Sequence, residues 1–278
     1  MMGATGSLVN SMTRCGPWTL GERLGVDYSV HCVKGEHESA YLVKCDVGDA
    51  EISIVARLHA SSYTIANAIE LPRSANDTYG YKWYAMRRYR CDLREAPEIP
   101  FEKAATATLA FLRDFHTRLY LVHGDIKAAN LFVGPENSIA VGDFGLSDNP
   151  SMRPLREDDL DMQWYYLARG GDLDQPVRSW RMDLIMLGFL LLQRVWLRPG
   201  SGLPCTHLVE MGKHRAARRR VQDTDWLALR DQEVAAALAA VSPRIRVYFE
   251  RVASFVGWGD RAPPPRIFYE ELIAMFDS

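Results

Sequence analysis

The hydrophobic period of this chain changes between Tyr89 and Phe101, and that change limits the folds open to it. From Trp18 to about Tyr89 the apolar residues come in short strand-like runs divided by turn-forming clusters. Two of these runs are Ala40-Tyr-Leu-Val-Lys44 and Tyr81-Lys-Trp-Tyr-Ala-Met86. The second is expected to pair with Ile65-Ala-Asn-Ala-Ile69 as a hairpin closed by a long loop, Pro72 to Gly80. Beyond Pro97, residues Phe101, Ala105, Thr108, Leu112, Phe115 and Leu119 recur by four and three, which marks one face of a long helix. Further helices are expected at 181–197, 224–240, 243–257 and 266–276. These patterns predict an α+β protein with two lobes, a small β-rich one followed by a larger helical one. Residues 1–17 would form a tail, 18–89 the small lobe and 90–278 the larger. A cleft between two such lobes is a common place for a ligand.

Composition narrows the function classes. The 278 residues are 47% hydrophobic and 24% charged, which excludes disorder, collagen and coiled coil. A formal net charge of -2 gives no reason to expect nucleic acid as a partner. The five cysteines are an odd number, scattered and without a C-x-x-C pair. That argues against a disulfide framework or a zinc site and suits a reducing, intracellular compartment, cytoplasmic or nuclear. The longest apolar run, Leu184 to Leu192, is too short to span a bilayer and reads as a buried helix. The first fifteen residues lack the apolar centre of a secretory signal. Met2-Gly3-Ala-Thr-Gly-Ser7 fits the N-myristoylation pattern if translation starts at Met2, and a membrane partner is expected only if Gly3 is so modified.

The chemistry is concentrated in His123-Gly-Asp-Ile-Lys-Ala-Ala-Asn130, followed by Asp143-Phe-Gly145. Phosphoryl transfer requires positioning and the neutralisation of charge on the moving phosphoryl oxygens. One carboxylate must stand at the acceptor hydroxyl, and hard oxygen ligands must hold Mg²⁺ on the phosphates. A lysine can offset negative charge as it develops. Asp125, Lys127, Asn130 and Asp143 supply that set, on loops beside the strand-like runs Leu131-Phe-Val133 and Ile139-Ala-Val141.

These two motifs resemble the catalytic loop, H-R-D-x-x-x-x-N, and the D-F-G of eukaryotic-type protein kinases, in the family's order and with its usual gap. The resemblance extends over about residues 18–276 and implies ATP and Mg²⁺. It implies that Asp125 orients the substrate hydroxyl and accepts its proton, and that Asn130 and Asp143 bind Mg²⁺. Lys127 stands where serine/threonine kinases carry a lysine, so a protein with a Ser or Thr acceptor is the implied partner. Gly124 replaces the usual arginine, and H-G-D-I-K is similar to the casein kinase 1 and vaccinia-related kinase branch. That arginine normally pairs with an activation-loop phosphate, so activity is expected not to depend on such phosphorylation. Asp183, in Arg181-Met-Asp-Leu-Ile-Met-Leu-Gly188, would hold the catalytic-loop backbone. Gly259-Asp-Arg261 is similar to the family's late arginine motif, but the chain has no A-P-E, and Tyr166-Leu-Ala-Arg-Gly-Gly171 stands in its place.

The small lobe admits two registers. In the first, Leu24 to Val30 is the phosphate-covering loop with Gly25 its one retained glycine, Lys44 is the strand lysine and Glu51 its helix partner. Met86 and Tyr89 then line the nucleotide site at the connection between lobes. In the second, Lys34 to Tyr41 is the loop, Arg57 replaces the lysine and Glu70 is its partner, with a hairpin at Val47-Gly-Asp49. Pro72 would stop a helix just after Glu70, so the family's order of strand, helix and hairpin favours the first. A loop without its second and third glycines brings fewer backbone N–H groups to the phosphates, so weak nucleotide affinity is expected. The departures leave a second reading, a pseudokinase that acts as a binding scaffold. The divergence would suit a viral kinase. Lys213 to Arg220 reads as a solvated basic segment, and Trp164 to Tyr166 as core. Ser147 and Ser151 are candidate autophosphorylation sites. His59, His116, His207 and His214 have no ligand spacing.

Overall fold

The computed structural model describes residues 14–24, 30–35, 39–60, 65–71, 73–76, 82–154, 177–196, 242–255 and 262–277. The small lobe is an antiparallel sheet in the order β1-β2-β3-β4-β6-β5. Its strands are β1 (Arg14–Cys15), β2 (Trp18–Leu24), β3 (Val30–Val33), β4 (Tyr41–Cys45), β5 (Arg73–Asn76) and β6 (Lys82–Arg87). One helix, α1 (Asp49–Ala60), lies between β4 and β5 in sequence. In the β4–β6 pair, Leu42 faces Met86, Val43 faces Ala85, Lys44 faces Tyr84 and Cys45 faces Trp83. Alternate residues of a strand point to opposite sides, so this register sorts the lobe into two faces. Val43, Cys45, Trp83 and Ala85 join Cys15, Leu20 and Val33 in a small core. Lys44, Tyr84 and Met86 occupy the other face, on the side of α1.

The hairpin differs from the sequence expectation. The partner of β6 is Arg73–Asn76, with Ser74 opposite Tyr84, and Ile65–Ile69 forms no strand of this sheet. The reason lies in where its backbone hydrogen bonds go. Ile69 N–H donates to Val141 O at 2.9 Å, and Val141 N–H donates to Asn67 O at 2.7 Å. Asn67 has φ 54°, a left-handed turn that asparagine tolerates, while Ile65 and Ile69 are buried. The segment is thereby fastened to the large lobe. The Val47-Gly-Asp49 stretch is likewise a turn from strand into α1 and not a hairpin.

The large lobe contains β7 (Cys91–Asp92), α2 (Phe101–Leu119), β8 (Leu131–Val133), β9 (Ile139–Val141), β10 (Ser151–Pro154), β11 (Val177–Arg178), α3 (Trp180–Trp196), α4 (Pro243–Ser254) and α5 (Arg266–Ala274). Strands β7, β8 and β9 form a second sheet. Helix α2 buries Ala105, Thr108, Leu112, Phe115 and Leu119, the stripe expected from the period. It ends at Tyr120, whose φ of 55° reverses the chain and whose N–H donates to Phe115 O. Helix α3 is apolar on almost every side, with Leu184, Leu187, Leu190 and Leu191 fully buried. Each such leucine contributes about 1.5–3 kcal/mol by leaving water. Helix α4 packs closely on α3 at Gly188, where a Cβ would meet the Phe249 ring at 2.5 Å. The expected helix at 224–240 lies outside the described residues, as do the basic run, Trp164 to Tyr166, the stretch in place of A-P-E, Arg261 and the tail through Thr13. Among the described residues, no helix is long and apolar enough to cross a membrane.

Candidate active site

The loop between α2 and β8 is held from beneath by one buried carboxylate. Asp183, in the first turn of α3, accepts the N–H of His123 at 2.7 Å and that of Gly124 at 2.8 Å. Its Oδ2 also meets His116 Nε2 at 2.8 Å, and Tyr269 lies 2.6 Å from the other ring nitrogen of His116. Burial holds the His116 imidazole below its ordinary value, although the Asp183 carboxylate opposes that shift. Asp183 thus fixes the loop backbone, as the resemblance implies, and His116 orients Asp183.

Asp125 sits just above. Asn130 Nδ2 donates to the Asp125 backbone O at 2.9 Å and to its Oδ2 at 2.8 Å, and Lys127 Nζ lies 3.0 Å from the same oxygen. The i to i+5 spacing closes the loop on itself, so the three side chains are brought together locally. His123 completes the framework. Its Nδ1 accepts the Asp125 N–H at 3.3 Å, so Nε2 carries the proton and faces Gly142 O at 3.2 Å. Gly142 N–H donates in turn to Asn130 O at 3.0 Å. These bonds tie the loop to the turn that bears Asp143.

Gly124 has φ +78°, and a Cβ there would meet Leu146 O at 2.8 Å. The absence of the family's arginine is therefore more than a lost charge, because the backbone at this point has no room for a side chain. Ser147 corrects one expectation. It is buried, and its Oγ donates to His123 O at 3.0 Å, so it is a bracket for the loop rather than a phosphorylation site. Ser151 lies in β10, and its side chain is outside the described residues.

Across the cleft, Lys44 Nζ lies 2.8 Å from Glu51 Oε1 and 2.9 Å from Asp143 Oδ1. Asp143 has φ 62°, a left-handed conformation uncommon for a residue with a side chain. Burial works against the charge on both Lys44 and Asp143, but their mutual attraction prevails. The Asp143 carboxyl is held below the ordinary carboxylate range, and the Lys44 ammonium, also beside Glu51, is held above the ordinary lysine value. Glu51 is only 6% exposed, which decides against its being a solvated surface charge. The Tyr84 hydroxyl donates to the same Glu51 oxygen at 2.8 Å. Sequence reasoning did not single out Tyr84, since only the strand register reveals that it stands opposite Lys44. Arg57 is elsewhere. It donates to Leu119 O at 2.5 Å, capping the end of α2. Glu70 pairs with Arg87 at 2.6 Å.

Met86 is buried on the Lys44 face of β6. Tyr89 follows, its ring 5.7 Å from that of Phe132 and its hydroxyl accepting the Glu70 N–H at 3.1 Å. Gly25 and the rest of its loop, 25–29, lie outside the described residues. The donor set suits Mg²⁺, which favours one or two protein oxygens together with phosphate oxygens. The Asp143 side chain is 40% exposed, and the engagement of Asn130 Nδ2 with Asp125 assigns the amide oxygen to any cation. Among the described residues there is no cluster of three or more His, Cys, Asp or Glu side chains able to hold a metal by itself.

No protein-family model matches the chain. Solved kinase structures match it over most of its length. The structure of vaccinia related kinase 3 aligns with a TM-score of 0.59 at 15% identity, over 94% of this chain and 87% of that one. The Cydia pomonella granulovirus kinase, PK-1, aligns with a TM-score of 0.64 at 16% identity, over 97% of each chain. The serine/threonine-protein kinase pakC of Dictyostelium discoideum is 28% identical over 94 residues, which are 32% of this chain and 20% of that protein. The match thus spans about a fifth of that relative's length. The chain has the two-lobed protein-kinase fold, as its motifs imply.

Proposed function

We propose that this chain is a serine/threonine protein kinase that transfers the γ-phosphate of ATP to protein hydroxyls with Mg²⁺. The observation that carries this reading is the meeting of Lys44 with Glu51 and Asp143, 7 and 99 residues away, at 2.8 and 2.9 Å. An ammonium held between a buried glutamate of the small lobe and a loop carboxylate of the large one suits a cleft that handles an anion. The geometry also supports Lys44, rather than Arg57, as the nucleotide-binding cation.

Within this reading each side chain has one task. Lys44, oriented by Glu51, grips the non-transferred phosphates. Met86 and Tyr89 border the base, and Gly25 belongs to the loop that covers the phosphates. Asp143 and Asn130 hold Mg²⁺, whose charge offsets that of the phosphate oxygens. Asp125 accepts the proton of the attacking hydroxyl, and the Asn130 amide keeps its carboxylate turned into the cleft. Lys127 faces the same oxygen and offsets charge near the transferred group. Gly124 leaves no arginine to meet an activation-segment phosphate, so in this reading activity needs none, and phosphatase treatment should leave the rate unchanged.

Incubation of the chain with Mg²⁺, γ-labelled ATP and casein or a basic protein, followed by phosphoamino-acid analysis, tests the proposal. Labelled phosphoserine or phosphothreonine is the expected product. Phosphotyrosine alone would refute the residue class. No transfer by folded protein on any substrate would favour the scaffold reading, in which the fold is kept for binding.

A further inference from the structure

We propose that Tyr84 is a positioning residue for the Lys44–Glu51 pair, its hydroxyl fixing the Glu51 carboxylate against the Lys44 ammonium. The inference rests on the kinase reading only for its consequence on ATP. The contact itself stands on geometry. Glu51 is the third residue of α1, which begins at Asp49. A glutamate so near a helix start lacks the preceding turns that would stiffen its backbone. The bond from Ile52 N–H to Gly48 O, 3.0 Å, closes the first turn around it. Something outside the helix has to hold the side chain.

The sheet supplies it. Lys44 and Tyr84 are directly opposed across β4 and β6, so both side chains leave the same face within a few ångströms of each other. Both reach the same atom, Glu51 Oε1, each at 2.8 Å. Tyr84 is 1% exposed, which fixes its ring in place. Burial, reinforced by the Glu51 charge, raises its hydroxyl well above the ordinary tyrosine value, so the group remains a donor. A phenylalanine at 84 would fill the same space and leave Glu51 with one partner fewer. Tyr84 therefore stands in for the helical turns that α1 lacks ahead of Glu51.

Two measurements on the full chain test this, on wild type, Tyr84→Phe and Glu51→Gln. The first is trace acetylation with acetic anhydride, read by peptide mass spectrometry, with the exposed Lys103 as internal reference. Lys44 should label about tenfold faster in Tyr84→Phe, approaching Glu51→Gln, with Lys103 unchanged. Labelling of Lys44 in Tyr84→Phe at the wild-type rate would overturn the proposal. The second is the affinity for ATP beside that for adenosine, which has no phosphates for Lys44 to grip. Tyr84→Phe should weaken ATP about tenfold and leave adenosine unchanged, whereas equal weakening of both would reduce Tyr84 to a packing role. A wild type that binds no ATP would defeat the kinase reading while the acetylation result still decides the role of Tyr84.

Discussion

Asp125 and Asn130 are five residues apart and meet at 2.8 Å, while Lys44 and Asp143 are 99 apart and meet at 2.9 Å. The catalytic loop and the small-lobe lysine thus reach one cleft by opposite routes. The first is assembled within a single turn of chain. The second depends on the register of a sheet, the start of a helix and the docking of two lobes. A site half local and half long-range should respond differently to damage in its two halves. Changes to the reacting side chains of the loop should act on chemistry with little effect on folding. Changes at the points where lobes are fastened should act on stability, and through it on the lysine.

The largest effect is expected at the local half. Asp125→Asn keeps the volume and removes the proton acceptor, so kcat should fall about 10²- to 10⁴-fold with KM for ATP little changed. Steady-state kinetics with thermal unfolding beside it would check this. A parallel loss of folding would show that Asp125 holds the loop together instead of serving the reaction.

Next is the backbone of the loop itself, where it turns at Gly124. Gly124→Ala must strain both a left-handed backbone and the approach of Leu146 O, at a cost of about 1–3 kcal/mol in denaturant unfolding. An unchanged midpoint would mean that the turn relaxes easily and that the missing arginine has no steric cause.

The third concerns the fastening of the lobes. Asp114, buried on α2, accepts the Ala66 N–H at 3.3 Å, Arg113 Nε at 3.0 Å and an Arg266 guanidinium N–H at 3.2 Å. Burial alone would raise its carboxyl, but Arg113 and the Ala66 N–H hold it below the ordinary range. A carboxylate with a lowered pKa stabilises the fold above its ordinary pKa and loses that contribution as pH falls through the lowered one. Asp114→Asn should therefore cost about 1–3 kcal/mol near neutrality and flatten the acid limb of stability against pH. A variant with the wild-type acid limb would contradict the assignment.

What could be seen in the sequence follows the same division. The helices at 101–119 and 180–196 announce themselves, because a buried face repeated over several turns is a local property. The catalytic-loop residues were legible for the same reason. The strand Arg73–Asn76 was not, since Arg-Ser-Ala-Asn carries no apolar alternation and earns its place only through the ladder to β6. Ile65–Ile69 looked like a strand because its isoleucines are core residues of a connecting segment bonded to β9. Tyr84 gave no signal, as its role depends on facing Lys44 across two strands, and the burial of Ser147 depends on the loop that folds over it. Arg57 and Lys44 were rival cations in the sequence because charge and spacing are blind to what lies 62 or 99 residues away.

The most direct test of the account is therefore a single comparison of rates. Mg²⁺-dependent phosphoryl transfer would be measured for wild type, Lys44→Met and Arg57→Met in one assay. The account predicts transfer by wild type, a loss of about 10²-fold or more in kcat/KM for Lys44→Met, and a rate within a few-fold of wild type for Arg57→Met. Full activity in Lys44→Met, or a loss confined to Arg57→Met, would contradict it.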